Sequence, residues 1–195
     1  MKKIAVFLDR DGTVNEDVGY PSSFEQIKIF PYSFEAIKKI NKAGLLAIIV
    51  TNQSGIARGF FTEKDLLKIH EKMQEVFIQH GARFDAIYYC PHYSLKTSGS
   101  SNICKCRKPL PGMAQKAAKE FNIDLKRSYM IGDKVEDILF GINIGAKSIL
   151  VLTGFGKSAR FQLNELGIKP SYVADNLLEA VNWILMDINE NKINK

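Results

Sequence analysis

The sequence predicts an α/β fold: a doubly wound, mainly parallel, Rossmann-like sheet with helices on both faces. Three observations carry that expectation. Short apolar runs alternate with amphipathic stretches along the 195 residues, the pattern of βαβ crossovers. The first run, residues 4–8, is apolar at every position, as in a strand covered on both faces. Polar residues then cluster directly after four runs: Asp9 and Asp11, Thr51 and Asn52, Cys90 onward, and Asp133. In a parallel sheet such ends share one edge, where ligands gather.

Taken in order, the first strand stops at Asp9-Arg10-Asp11-Gly12-Thr13, where Gly12 lets the backbone turn. Residues 16–31 read as a polar loop, long for a plain connection and therefore marked for function. Ser33 is placed to cap a helix carrying Phe34, Ile37 and Ile40, with Gly44 to end it. Residues 45–50 form a second buried strand, followed by a glycine-bearing loop from Thr51 to Gly59. Thr62 and Asp65 resemble a capping pair for a long helix whose apolar face is Leu66, Ile69, Met73, Val76 and Phe77. His70 and His80, on or near that helix, read as surface or packing residues. Residues 84–89 are a third strand, and 90–111 a loop with little periodicity. Pro111-Gly112 opens a helix through Met113, Ala117 and Phe121, with Pro111 near its first position. Residues 129–131 are a fourth strand, cut short by Gly132-Asp133-Lys134. Glu136 and Asp137 then open a helix that Gly145 ends. Residues 148–152 and 172–174 are the last strands, and 177–188 a closing helix with Trp183 in the core. One domain over 1–188 is expected, with 189–195 a polar, frayed tail.

The chain is 46% hydrophobic, enough for one sizeable core. No run approaches the 18 or so apolar residues of a membrane span, and no long apolar leader segment is present, so a soluble, cytoplasmic protein without a membrane partner is expected. The net charge of +6 suits an anionic partner such as a phosphate ester. Much of the excess is Lys spread along helices, and without aromatic-basic interleaving no nucleic-acid partner is expected. Three cysteines argue against a disulfide framework and for a metal site.

Asp9 and Asp11, one residue apart, repel each other unless a proton or cation offsets their charge. With Asp133 they form a set able to hold Mg²⁺, which takes one or two carboxylates, waters and substrate phosphate oxygens. An Asp carboxylate can also attack phosphorus and form an aspartyl-phosphate. A second carboxylate can protonate the leaving oxygen and later deprotonate water. Thr51 and Lys108 would offer a hydroxyl and a cation to phosphoryl oxygens. Cys90-Pro91-His92 with Cys104-Lys105-Cys106 supplies three thiols and one imidazole, the donor set of a closed structural Zn²⁺ site. Such an ion would fold the loop 90–106 and aim Arg107 and Lys108, which follow at once.

The series Asp9-Arg10-Asp11-Gly12-Thr13, Thr51, Lys108 and Gly132-Asp133-Lys134-Val135-Glu136-Asp137 resembles the haloacid dehalogenase (HAD) superfamily of phosphohydrolases across essentially the whole chain. The resemblance implies Asp9 as nucleophile and Asp11 as acid/base. It implies Mg²⁺ on Asp9, the Asp11 carbonyl and Asp133, with Thr51 and Lys108 steadying the phosphoryl group. Asp137 would support the site from behind or cap its helix. The motif spacing leaves no room for the large cap domain many relatives insert, so an open site is expected. Within the superfamily, Val18-Gly19-Tyr20, Ser54-Gly55-Ile56-Ala57-Arg58-Gly59 and the cysteine segments look like the heptose bisphosphate phosphatases of bacterial heptose and lipopolysaccharide-precursor biosynthesis. Tyr93-Ser94-Leu95-Lys96 departs from that family's pattern. The resemblance implies substrate contacts at Asp17, Val18, Gly19, Tyr20, Asn52, Gln53, Ser54, Arg107 and Lys134, a small phosphorylated sugar as partner, and a monomer. Histidinol-phosphate phosphatases, which share the fold, the magnesium chemistry and the zinc loop, are the nearest rival. A zinc-stabilised nucleic-acid-binding domain is the rival of another class, at odds with three carboxylates at one edge facing a phosphate backbone.

Overall fold

β1 (Ala5–Leu8) is buried at every position and hydrogen-bonds on both sides, to β2 (Leu46–Asn52) and to β4 (Tyr129–Gly132). With β3 (Ala86–Cys90), β5 (Lys147–Val151) and β6 (Tyr172–Ala174) these strands form one sheet in the order β3-β2-β1-β4-β5-β6. Every pairing is parallel, as the continuous apolar runs require. The computed structural model describes residues 2–93 and 104–193.

The pleat divides the strand residues between two cores. Val6, Leu8, Ile49, Ile131 and Val151 face α1 (Pro31–Lys42), α2 (Glu63–Gln79) and α6 (Leu177–Ile193). Phe7, Ile48, Val50 and Met130 face α3 (Gly112–Phe121) and α4 (Val135–Asn143). Leu150 packs with α4 and α5 (Gly156–Glu165). α2 starts as expected: Thr62 Oγ1 accepts from Asp65 N at 3.2 Å while Asp65 Oδ2 accepts from Thr62 N at 3.0 Å. Such a cap contributes about 1 kcal/mol.

Several boundaries differ from those expected, each for a local reason. α1 begins at Pro31 and not after Ser33, because proline suits a first helical turn that needs no N–H. Ser33 Oγ instead donates to Val14 O at 2.8 Å, tying the helix to the turn after β1. In α3 Pro111 is the cap itself, and Gly112 N donates to Lys105 O at 2.9 Å. β2 runs two residues further, to Asn52, because β3 pairs with it as far as Asn52 opposite Cys90. α6 continues five residues past 188, to Ile193. α5 was not expected at all, since only Gly156, Ala159 and Leu163 are buried along it. Residues 16–31 are pinned by Glu16 N donating to Lys28 O and Phe30 N to Val14 O, with a short 3-10 turn at Phe24–Gln26. Of the loop 90–106, positions 94–103, including Ser94, Leu95 and Lys96, lie outside the described residues, as do 194 and 195 of the tail. Among the described residues no helix is long and apolar enough to cross a membrane.

The chain winds outward from β1 to β2 and β3 on one side and from β4 to β6 on the other. The reversal lies between β1 and β4, and a crevice opens beyond their C-terminal ends.

Candidate active site

At that crevice Asp9 N extends the β1–β4 ladder by donating to Ile131 O at 2.9 Å, so the Asp9 side chain emerges at a fixed place. Carboxylate oxygens of Asp9, Asp133 and Asp137 lie within 4.8 Å of one another, and all three residues are buried. Lys108 Nζ sits 2.8 Å from Asp9 Oδ1 and 2.5 Å from Asp137 Oδ1. Asp137 also accepts from Lys134 N at 3.0 Å, so it both caps α4 and holds Lys108. Asp133 accepts one bond, from Phe155 N at 2.8 Å, and its Oδ1 is buried with no hydrogen-bond partner among the described residues. Its seat exists because Gly12 and Gly154 carry no side chain. A Cβ there would lie 2.1 Å or 2.2 Å from Asp133 Oδ2, and both have positive φ, at 86° and 52°. Burial first, then the charges of Asp9 and Asp137, push Asp133 up to about 8. Burial lifts Asp137 to about 6 against the pull of Lys108. An orphaned carboxylate oxygen in a crowd of carboxylates is a seat that suits a hard divalent cation.

The Asp11 carboxylate is not in this cluster. Its Oδ1 accepts from Arg10 Nε at 3.0 Å and Asn15 Nδ2 at 2.9 Å; its Oδ2 accepts from Arg10 Nη2 at 2.7 Å and Gln53 Nε2 at 2.9 Å. Burial raises its pKa, but the Arg10 guanidinium beside it and these donors together hold it below the usual carboxylate range. Gln53 Nε2 also donates to Thr51 Oγ1 at 2.8 Å. Asn52 pairs with the Lys108 backbone, accepting from Lys108 N at 3.0 Å and donating to Lys108 O at 3.2 Å. Two amides expected to face substrate therefore also hold the site together.

Above this floor is a cavity of about 330 Å³, within the range of small-molecule sites. Asp9, Asp11, Thr51, Asn52, Gln53, Ser54, Arg107, Lys108 and Lys134 line it, and Asp17, Gly19 and Tyr20 form part of its wall. Of the expected contacts, Val18 is absent from that wall and exposed. Lys134 Nζ reaches Asp17 Oδ2 at 2.9 Å, and Arg107 Nη1 donates to His92 O at 2.9 Å. At the rim Tyr20 stacks on Phe60 with centroids 4.5 Å apart, and the Arg58 guanidinium lies 3.7 Å from the Tyr93 ring centroid.

The Cys90, Cys104 and Cys106 sulfurs stand 3.1 to 3.5 Å apart, with His92 Nδ1 at 3.5 Å from Cys90 Sγ and Cys106 Sγ. All three thiols are free. Four donors around one Zn²⁺ with bonds near 2.3 Å would hold sulfurs roughly 3.8 Å apart, so the cluster fits a tetrahedral ion after a small expansion.

Arg10, His70 and Phe155 were missed as site residues. His70 stands in the buried face of α2 with Leu66, Ile69 and Met73, and a polar ring within an apolar stripe was the available signal.

Residues 105–180 match the HAD-hydrolase-like family. D-glycero-beta-D-manno-heptose-1,7-bisphosphate 7-phosphatase of Pasteurella multocida is 47% identical over 155 residues, 79% of this chain and 84% of that one. Its namesake in Haemophilus ducreyi is 40% identical over 94% of this chain and 100% of its own. The crystal structure of D,D-heptose 1,7-bisphosphate phosphatase from B. bronchiseptica, complexed with magnesium and phosphate, superposes with a TM-score of 0.82 at 34% identity, covering 96% of this chain and 99% of that one. On this identity and coverage the chain belongs to the D-glycero-D-manno-heptose-1,7-bisphosphate 7-phosphatase family, phosphoric monoester hydrolases built on the HAD fold.

Proposed function

We propose that the protein hydrolyses the C7 phosphate of D-glycero-D-manno-heptose 1,7-bisphosphate through an aspartyl-phosphate on Asp9, with Mg²⁺ held by Asp9, Asp133 and the Asp11 carbonyl. The observation that carries the reading is the buried Asp9–Asp133–Asp137 cluster, crossed by Lys108, under a polar cavity at the reversal of the sheet. When bound, Mg²⁺ would offset the repulsion between the carboxylates and the incoming phosphoryl oxygens.

Asp9 Oδ attacks phosphorus and the bond from phosphorus to the sugar oxygen breaks. Asp11, held ionised by Arg10, would take up a proton as the phosphoryl dianion enters beside it, a like charge that raises its pKa; it passes that proton to the leaving oxygen and the dephosphorylated sugar departs. Water then attacks phosphorus, Asp11 takes its proton, the bond from phosphorus to the Asp9 oxygen breaks, and inorganic phosphate leaves with the Asp9 carboxylate restored. Lys108 and Thr51 hold the phosphoryl oxygens, where a fixed cation lowers the barrier without reorganising. Lys134, Arg107 and the wall from Asp17 to Tyr20 would receive the rest of the sugar bisphosphate. Zn²⁺ on Cys90, His92, Cys104 and Cys106 would shape the loop that presents Arg107. Three free thiols at metal-binding distance suit the reducing cytoplasm.

Phosphate release from both anomers of the heptose bisphosphate and from histidinol phosphate, compared as kcat/KM with Mg²⁺ present, tests the assignment. At least a hundredfold preference for a heptose bisphosphate is expected, about 3 kcal/mol of discrimination. Equal or better turnover of histidinol phosphate would overturn it.

A further inference from the structure

Among the described residues Arg10 is the largest side chain with no exposure at all. A guanidinium so placed is costly unless its donors are met. Nε and Nη2 grip both oxygens of Asp11, and Nη1 lies 3.2 Å from His70 Nε2. A guanidinium only donates, so His70 Nε2 must present its lone pair, leaving the ring neutral with its proton on Nδ1. The surroundings agree, since burial and the Arg10 charge lower His70 to about 3. His70 comes from α2, sixty residues along the chain from Arg10, and is 5% exposed.

We propose that His70 and Arg10 are positioning residues for the phosphatase reaction, a buried brace in which His70 fixes the Arg10 fork and the fork fixes the plane of the Asp11 carboxylate. The torsion that turns an Asp carboxylate is soft. Two parallel bonds from a planar fork remove that freedom, and Gln53 and Asn15 complete the grip. The fork needs its own anchor, because Arg10 carries several rotatable bonds and Nη1 would otherwise be a buried donor without an acceptor. The brace rests on the reading of Asp11 as the acid/base.

The test compares His70→Phe with His70→Gln, in wild-type and Asp11→Asn backgrounds, by steady-state kcat and KM with Mg²⁺ and by circular dichroism. His70→Phe should lower kcat about tenfold with KM within about twofold, since small misplacements of a reacting group cost one to two orders of magnitude. His70→Gln, whose amide oxygen can accept from Nη1, should recover most of the loss. In the Asp11→Asn background His70→Phe should cost nothing further. A His70→Phe enzyme with wild-type kcat, an equal loss in both backgrounds, or no recovery in a folded His70→Gln enzyme would each overturn the brace. Wild-type turnover by Asp11→Asn alone would instead overturn the reading of Asp11. Nitrogen NMR of the unmutated protein gives a readout independent of folding of the variants: His70 Nε2 should be unprotonated at neutral pH, and a protonated Nε2 would refute the geometry.

Discussion

Lys108→Met removes the cation that crosses the carboxylate cluster while keeping a side chain of similar length. Lys108 is 3% exposed and contacts Asp9 and Asp137 together, so the variant leaves two buried carboxylates without their shared partner. Removing one side of a buried ion pair costs about 3–5 kcal/mol. For a domain of this size each kcal/mol moves Tm by about 2–4 °C, so the metal-free variant should melt on the order of 10 °C below wild type. Mg²⁺ brings positive charge to the same cluster and should return more Tm to the variant than to the wild type. Turnover should still fall about 10²–10³-fold, the usual loss for one fixed group facing transition-state charge. Calorimetry with and without Mg²⁺, beside phosphate release at saturating substrate, reads both effects. A variant within threefold of wild-type kcat, or one whose metal-free Tm is unchanged, would show that Lys108 is not the counter-charge described here.

Asp133 should make metal binding depend on pH. Its folded pKa of about 8 lies above the ordinary 3.8, so in the metal-free protein it contributes stability that is fully present below about 4 and lost as pH rises through about 8. Metal uptake displaces the proton, and Mg²⁺ affinity by titration calorimetry should rise between about pH 6 and 8; a flat profile contradicts the cluster. Gly12→Ala should cost at least tenfold in kcat/KM, because the new Cβ would overlap Asp133 Oδ2 at a positive φ, and wild-type kinetics would show that the seat is slack. Cys104→Ser should lose the roughly one Zn²⁺ per chain expected by elemental analysis and weaken substrate binding, with helical circular dichroism largely kept because both faces of the sheet have their own cores. Full kcat/KM in that variant would separate the loop from the site.

Much of this site was legible because parallel strands deliver chemistry at their ends. Asp9 and Asp133 each follow a buried run directly and Thr51 lies near the end of β2, so chain order and spacing alone brought them to one edge. The cysteine cluster was equally local, two short pairs that the loop brings together. Contacts between distant segments were not legible. Gln53 meets Asp11 across 42 residues, Asn52 meets Lys108 across 56, and His70 meets Arg10 across 60, with nothing near any of them in sequence naming the partner. α5 escaped for a different reason: a helix with three buried residues has too thin an apolar stripe for periodicity to register. From sequence Asp137 suits either support or cap, and one carboxylate does both because its two oxygens point to Lys108 and to the start of α4.

The most direct test of the central claim is to quench the Mg²⁺-loaded enzyme with acid during turnover of the heptose bisphosphate and map the phosphorylated peptide by mass spectrometry. One phosphoryl group on Asp9, absent from an inactive Asp9→Asn enzyme, is the predicted result. Near-normal turnover by Asp9→Asn, or phosphate trapped on a different residue, would contradict it.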